Sequence, residues 1–175
     1  MCIRDRPRIA DVQETITPIE GSWNVYFDPR WGGPGKVVFD ELIDWTVHAD
    51  TGIRYYSGTV VYHKELNLAM PAQNERLLLR FPRLGSLARV WVNGKEVVTV
   101  WCSPWEADIT SYVHEGKNNL KIEVVNSLMN RMIGDASLPE SERFTYAYPQ
   151  IATPTDKLVP SGIMEQLNLV YRQCQ

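Results

Sequence analysis

Two groups of side chains in this 175-residue chain have the types that could hold a sugar ring: Trp31, Tyr55 and Tyr56 with Arg54, and Trp101 and Trp105 with Asn130 and Arg131. Aromatic faces stack on ring C–H groups, while Asn, Asp, Arg or Glu bond hydroxyls in pairs. Packing is the competing use of every one of these rings. The six tryptophans and eight tyrosines of the chain suffice for both. Asn130-Arg131 with Asp135 forms a further constellation, in which the guanidinium could fork onto a carboxylate or onto vicinal hydroxyls. An Arg–Asp pair that ties down a long irregular segment is the favoured reading there. The carbohydrate-contact candidates are therefore Trp31, Arg54, Tyr56, Trp101, Trp105, Asn130 and Arg131.

Other chemistries find less support. His48, His63 and His114 have neither metal-ligand spacing nor a cysteine partner of the zinc kind, and are expected at the surface or at strand edges. Cysteines 2, 102 and 174 cannot build a disulfide framework, and Cys102 lacks the local context of a nucleophile. The segment Gly32 to Gly35 has no Lys-Ser/Thr after a strand, so it reads as a turn and not as a phosphate cradle. Sugar-binding sandwiches often hold calcium, yet no Asp or Glu run here has calcium-loop spacing, and no cofactor or metal is assigned. Glu106, Asp108, Asp135, Glu140 and Glu142 gather near the irregular region. Asp108 is expected to cap the turn that follows it, and Glu140 and Glu142 to be solvated. No catalytic residue is assigned. A net charge of −3 with scattered lysines and arginines lacks the basic footprint of a nucleic-acid partner. No apolar run approaches the roughly 20 residues of a membrane span.

The elements that must carry these groups read as all-β. With 44% hydrophobic and 22% charged residues, the chain suits one globular domain. From Ser22 the apolar period is two. Trp23, Val25 and Phe27 alternate with Asn24, Tyr26 and Asp28, and the Pro29 to Gly35 loop closes that strand. Lys36 to Phe39 forms a short strand. Thr59 to Leu68 is a longer one, with Val60, Tyr62 and Leu66 on one face and Thr59, Val61, His63 and Glu65 on the other. Leu77 to Phe81 is apolar at every residue but Arg80, as in a strand covered on both sides. Ala88 to Val92 and Glu96 to Trp101 flank Asn93-Gly94, the signature of a type I′ hairpin. Asp108 to Val113 forms a single helical turn, and Leu120 to Asn126 another strand. The pattern is lost between Ser127 and Ser161, where prolines predict a long ordered excursion. A final strand around Leu167, Leu169 and Tyr171 must pair back into the sheets. About eight strands with one long return describe a two-sheet jelly-roll β-sandwich of the galactose-binding-domain-like kind.

These strands resemble a known family. The run Gly21-Ser22-Trp23 through Phe27-Asp28-Pro29, the loop Trp31-Gly32-Gly33-Pro34, Asp44-Trp45-Thr46, GIRYYSGTVVYHKEL, WVNGKEVVTVW, ADIT, GKNNLKIEVVN, NRMIGD and LVPSGI are similar to the C-terminal jelly roll of α-L-rhamnosidases of glycoside hydrolase family 106. The match runs over residues 18–171. More distantly, GIRYYSGTVVYHKEL and WVNGK are similar to the sugar-binding jelly roll of family 2 glycoside hydrolases. The V-N-G-K hairpin is a weak signal; NRMIGD, the WGGP loop and the terminal SG are more restrictive. Glu165-Gln166 departs from the pattern, where a Gly-Pro pair is expected.

The resemblance implies an accessory, non-catalytic domain that supports a catalytic domain of the same polypeptide and contacts carbohydrate, with rhamnose-containing glycans as the implied ligand. It also implies that Trp105 serves packing under its loop. An independent carbohydrate-binding module and a purely structural domain are the alternatives. The opening MCIRDR is similar to the in-frame translation of a transposon end used to tag DNA for sequencing. On that reading residues 1–17 are scar and linker, and residues 18–175 are the C-terminal domain of a larger enzyme. Such a parent would be periplasmic or extracellular, although nothing in this chain marks a compartment.

Overall fold

A computed structural model describes residues 13–147 and 151–174. The MCIRDR segment lies outside the described residues. Among the described residues, ten strands form two antiparallel sheets. Strands β1 (Glu14–Pro18), β10 (Asn168–Gln173), β5 (Glu75–Arg80) and β8 (Glu106–Asp108) make one sheet, in that order. The other runs β3 (Gly35–Phe39), β2 (Trp23–Phe27), β4 (Thr59–Leu68), β9 (Gly116–Val125), β6 (Leu87–Val92) and β7 (Lys95–Val100). Two short helices, α1 (Thr51–Arg54) and α2 (Met129–Asp135), sit in the connections. This is the expected sandwich, with two strands and two helices beyond the expectation. Glu14 to Thr17, read as linker, pair with β10 from Glu14↔Arg172 to Thr17↔Leu169.

The period-two pattern explains the layers. In β2, Trp23, Val25 and Phe27 are buried while Asn24 and Tyr26 face out. In β4, Val60, Tyr62, Leu66 and Leu68 point into the core, and Thr59, His63 and Glu65 are exposed. Leu77 and Leu79 enter the same core, and Leu78 is buried between them, as expected of a strand covered on both faces. The hairpin between β6 and β7 turns at Asn93 (φ 51) and Gly94 (φ 79), the two positive-φ positions of a type I′ turn. Asn93 is also held from outside the turn: its amide donates to the Tyr112 carbonyl and to Asn118 Oδ1.

Aromatic residues fill one end of the core. The Phe27 ring meets Tyr56 at 5.1 Å and Trp45 at 5.3 Å, both edge-on. Trp45 Nε1 donates to the Tyr62 hydroxyl at 2.7 Å, and burial pushes that hydroxyl's pKa up. Gly162 (φ +89) lies against this indole, where any Cβ would collide with it.

The excursion is clamped by side chains of its own ends. Asn126 accepts from Gly58 N at 2.9 Å and donates to the Tyr56 carbonyl at 2.9 Å. Asn130 donates to the Val159 carbonyl at 2.7 Å and accepts from Val159 N at 2.8 Å. Ser161 joins both, since its hydroxyl accepts from each of the two amides. Asp44 Oδ1 accepts from Ser161 N, which ties the excursion to the loop before α1. At the departure noted above, Gln166 donates to the Ile19 carbonyl at 3.1 Å.

Candidate functional site

The loops after β2, the helices α1 and α2 and the excursion meet at one end of the sandwich. Asp28 begins this end by accepting from Arg30 N at 2.9 Å, which caps the single turn Pro29–Trp31. The Arg30 guanidinium on the same carboxylate lowers its pKa. The turn presents Trp31 with 46% of its surface exposed, as a ring-stacking role requires.

Tyr56 does not join it. It is fully buried in the aromatic cluster, and its hydroxyl accepts from Asp28 N at 3.1 Å and donates to the Thr59 carbonyl at 3.2 Å. Burial pushes that hydroxyl's pKa up. Arg54 is also engaged within the fold. Its guanidinium donates to the His48 carbonyl at 2.9 Å and lies 3.5 Å from the Ala49 carbonyl, closing the α1 loop. Tyr55, the neighbour of both, is half-buried and lines the depression described next.

That depression, about 350 Å³, is lined by Gly32, Gly52, Tyr55, Arg131, Gly134 and Phe144 among others. A Cβ on Gly32 would stand 2.9 Å from the Phe144 ring and 3.3 Å from Arg131 Nη1, so the glycine lets the loop close on both. Arg131 is 5% exposed. Its Nε donates to the Tyr55 carbonyl at 3.1 Å, and its guanidinium lies 5.0 Å from the Phe144 centroid. Asp135, one helical turn on, stands 3.7 Å from Nη1 and is bonded mainly elsewhere: its Oδ2 accepts from Thr145 N and Oγ1, both at 2.7 Å. Arg131 Nη2 and Asp135 Oδ1 are buried without a hydrogen-bond partner among the described residues. Desolvation lowers the Arg131 pKa, and Asp135 opposes that only in part.

The second expected group does not assemble. Asn130 is buried, and its side chain bonds Val159 and Ser161. Arg131 turns to Tyr55 and Phe144. Trp101, 68% exposed, and Trp105, half-buried against the core, flank the loop from β7 to β8 instead. Packing for Trp105 holds. So does the Asp108 cap, whose Oδ1 accepts from Thr110 N at 3.1 Å. Glu140 and Glu142 are exposed, and Glu106 belongs to an ionic network with Arg80 and Arg172. Of the histidines, His63 and His114 are exposed, and His48 stacks on Phe39 at 5.7 Å. Among the described residues, no three His, Cys, Asp or Glu side chains group as metal ligands. No helix among the described residues is long and apolar enough to cross a membrane.

Sequence reasoning missed the outward face of the six-stranded sheet, where Asn24, Tyr26, His63, Trp91 and Asn119 surround two depressions. The signal is the exposed half of the period-two alternation, the half that faces away from the core.

Known proteins agree with this architecture. The family model described as "Glycosyl hydrolases family 2, sugar binding domain" matches residues 8–172. A Formosa agariphila protein, provisionally named a beta-glucuronidase, is 38% identical over 123 residues, 69% of this chain and 11% of that protein. The rhamnosidase structure from Novosphingobium sp. PP1Y superposes with a TM-score of 0.87 at 31% identity, over 97% of this chain and 16% of that one. The Ruminococcus gnavus beta-glucuronidase superposes at 0.64 with 22% identity, over 90% of this chain and 28% of its own, and shares the fold. With its sandwich matched from the edge strand β1 to β10, the chain belongs to the sugar-binding domain family of the family 2 glycosyl hydrolases.

Proposed function

We propose that this is the accessory, non-catalytic sandwich of an α-L-rhamnosidase-like glycoside hydrolase, which supports the catalytic domain and contacts carbohydrate at the loop end. The observation that carries the contact is the depression walled by Gly32, Tyr55, Arg131 and Phe144, which opens beside the exposed Trp31 ring. A sugar ring seated there would meet the Tyr55 and Phe144 side chains, and Trp31 offers an exposed ring on the adjacent turn. The rhamnosidase side of the reading draws support from the superposition at 0.87, against 0.64 for the glucuronidase.

Titration of the chain with L-rhamnose and rhamnose-containing oligosaccharides, followed by tryptophan fluorescence with galactose as control, tests this reading. A saturable, rhamnose-selective change that weakens in Trp31→Ala is the expected result. No change with any of these sugars, from a sample with an intact melting transition, removes the loop end from carbohydrate binding. Hydrolysis of an aryl α-L-rhamnoside by this chain alone would overturn the non-catalytic assignment.

A further inference from the structure

We propose that the outer face of the six-stranded sheet is a second carbohydrate surface, built for an extended neutral oligosaccharide. Its register places Asn24 opposite His63, His63 opposite Lys121, and Lys121 opposite Trp91, one row across four strands. At the usual strand spacing that row spans about 14 Å, the reach of a short oligosaccharide and not of a single ring. The next row sets Tyr26 beside Val61, and the Tyr26 ring is 39% exposed. Two depressions of about 500 and 510 Å³ lie along the face and meet at Asn24 and His63, which line both.

Hydrogen-bonding capacity is concentrated there and unspent. The side chains of Asn24, His63 and Asn119 make no hydrogen bond to any described residue, in contrast to the fully committed Asn93, Asn118, Asn126 and Asn130. Amides and an imidazole offer both donors and acceptors, which suits hydroxyls. The charges of the face are mostly spent on each other; the exceptions are Lys36, which lines the first depression opposite Tyr26, and Lys64, whose ammonium donates to the Gly21 and Ser22 carbonyls. Lys121 pairs with Glu123 at 3.0 Å, Lys117 with Glu65 at 3.0 Å, and Arg89 approaches Glu96 at 3.7 Å. With most charges paired, hydroxyl bonding is the main capacity of the face and a neutral glycan is its complement, Lys36 being the cation whose pull on an anion the acidic probe measures. Lys121 Nζ lies 3.6 Å above the Trp91 ring, so Trp91 borders the site and reports on it, while Tyr26 supplies the open stacking ring.

This inference goes beyond the loop-end reading and stands or falls separately. The test titrates the chain with xylohexaose, cellohexaose and mannohexaose, and with hexagalacturonic acid as the anionic probe, following tryptophan emission and calorimetric heat. At least one neutral hexamer is expected to bind, with an affinity unchanged on raising the salt well above physiological strength. Tyr26→Ala and His63→Ala are each expected to weaken it by about tenfold, and Trp31→Ala to leave it unchanged. Both side chains are exposed, so the variants should melt like the parent; Asn24→Ala, also exposed, provides an independent check. Four results would overturn the proposal: no hexamer binds, the acidic hexamer binds best and is released by salt, the Tyr26 and His63 variants bind as well as the parent, or the face instead holds a second copy of the chain in a dimer that Tyr26→Ala dissociates. Hexamer binding without rhamnose binding would leave this surface standing and remove the loop-end reading. The converse would do the reverse.

Discussion

Single residues decide how the loop end behaves, and Arg131 with Asp135 is the sharpest case. Each is buried and each keeps an unpartnered atom, so neither charge is fully compensated by the other. Removing one partner strands the second in low dielectric, a loss of about 3–5 kcal/mol for a buried pair. Asp135→Ala is accordingly expected to destabilise strongly in urea denaturation. Replacing both by apolar residues of similar volume should cost much less, and a double-variant loss equal to the sum of the two single losses would show that the pair is not coupled. Asn130→Ala strips the excursion of its clamp on Val159 and Ser161, and should cost about 1–3 kcal/mol by leaving those groups unpaired. The neighbouring residues Arg54, Tyr55 and Tyr56 show what sequence types alone cannot tell. Arg54 is taken by carbonyls of its own loop, Tyr56 by the core and Tyr55 by the depression, because a turn at α1 sends adjacent side chains in different directions.

At the scale of elements, the four-stranded sheet is held by charges as well as by its ladder. Glu14 on β1, Arg80 on β5, Glu106 on β8 and Arg172 on β10 form one connected network with contacts of 2.6–2.8 Å. The Arg80 hydrogen bond lowers the Glu14 pKa below its ordinary 4.5, against an opposing desolvation and with help from Arg172. A depressed carboxylate contributes stability that is present above its unfolded-state value and lost as pH falls through its folded-state value. Urea midpoints should therefore drop as pH falls below about 4.5, and Arg172→Ala should flatten that drop; an unchanged acid slope in the variant would remove the network from the explanation. In the other sheet, Gly94→Ala places a Cβ at φ +79 and should cost about 1 kcal/mol. Strands with one buried face were legible because their period is two. β1 was not, since all five of its residues are exposed and only the pairing with β10 makes it a strand. β8 has three residues and α2 seven, too few for a period to declare itself.

For the whole molecule, one continuous core joins both sheets, so thermal unfolding should be a single transition in which far-UV circular dichroism and tryptophan fluorescence coincide. Two separated transitions would show that the excursion end unfolds as its own unit. The chain spans 11% of the Formosa agariphila relative and 16% of the rhamnosidase. By itself the sequence determined the sandwich class, the Asn93-Gly94 hairpin and the Asp108 cap, and of its two family resemblances the more distant one, to family 2, is the one the family model shows. Those follow from local periodicity, turn chemistry and motifs that neighbouring residues carry together. Only the tertiary structure decided which aromatics face solvent, that Arg131 joins Gly32 and Phe144 and not Trp101, and that Asn24, His63 and Trp91 share one row. Each of those depends on strand register and loop closure between residues far apart in the chain, and composition and spacing contain no measure of either.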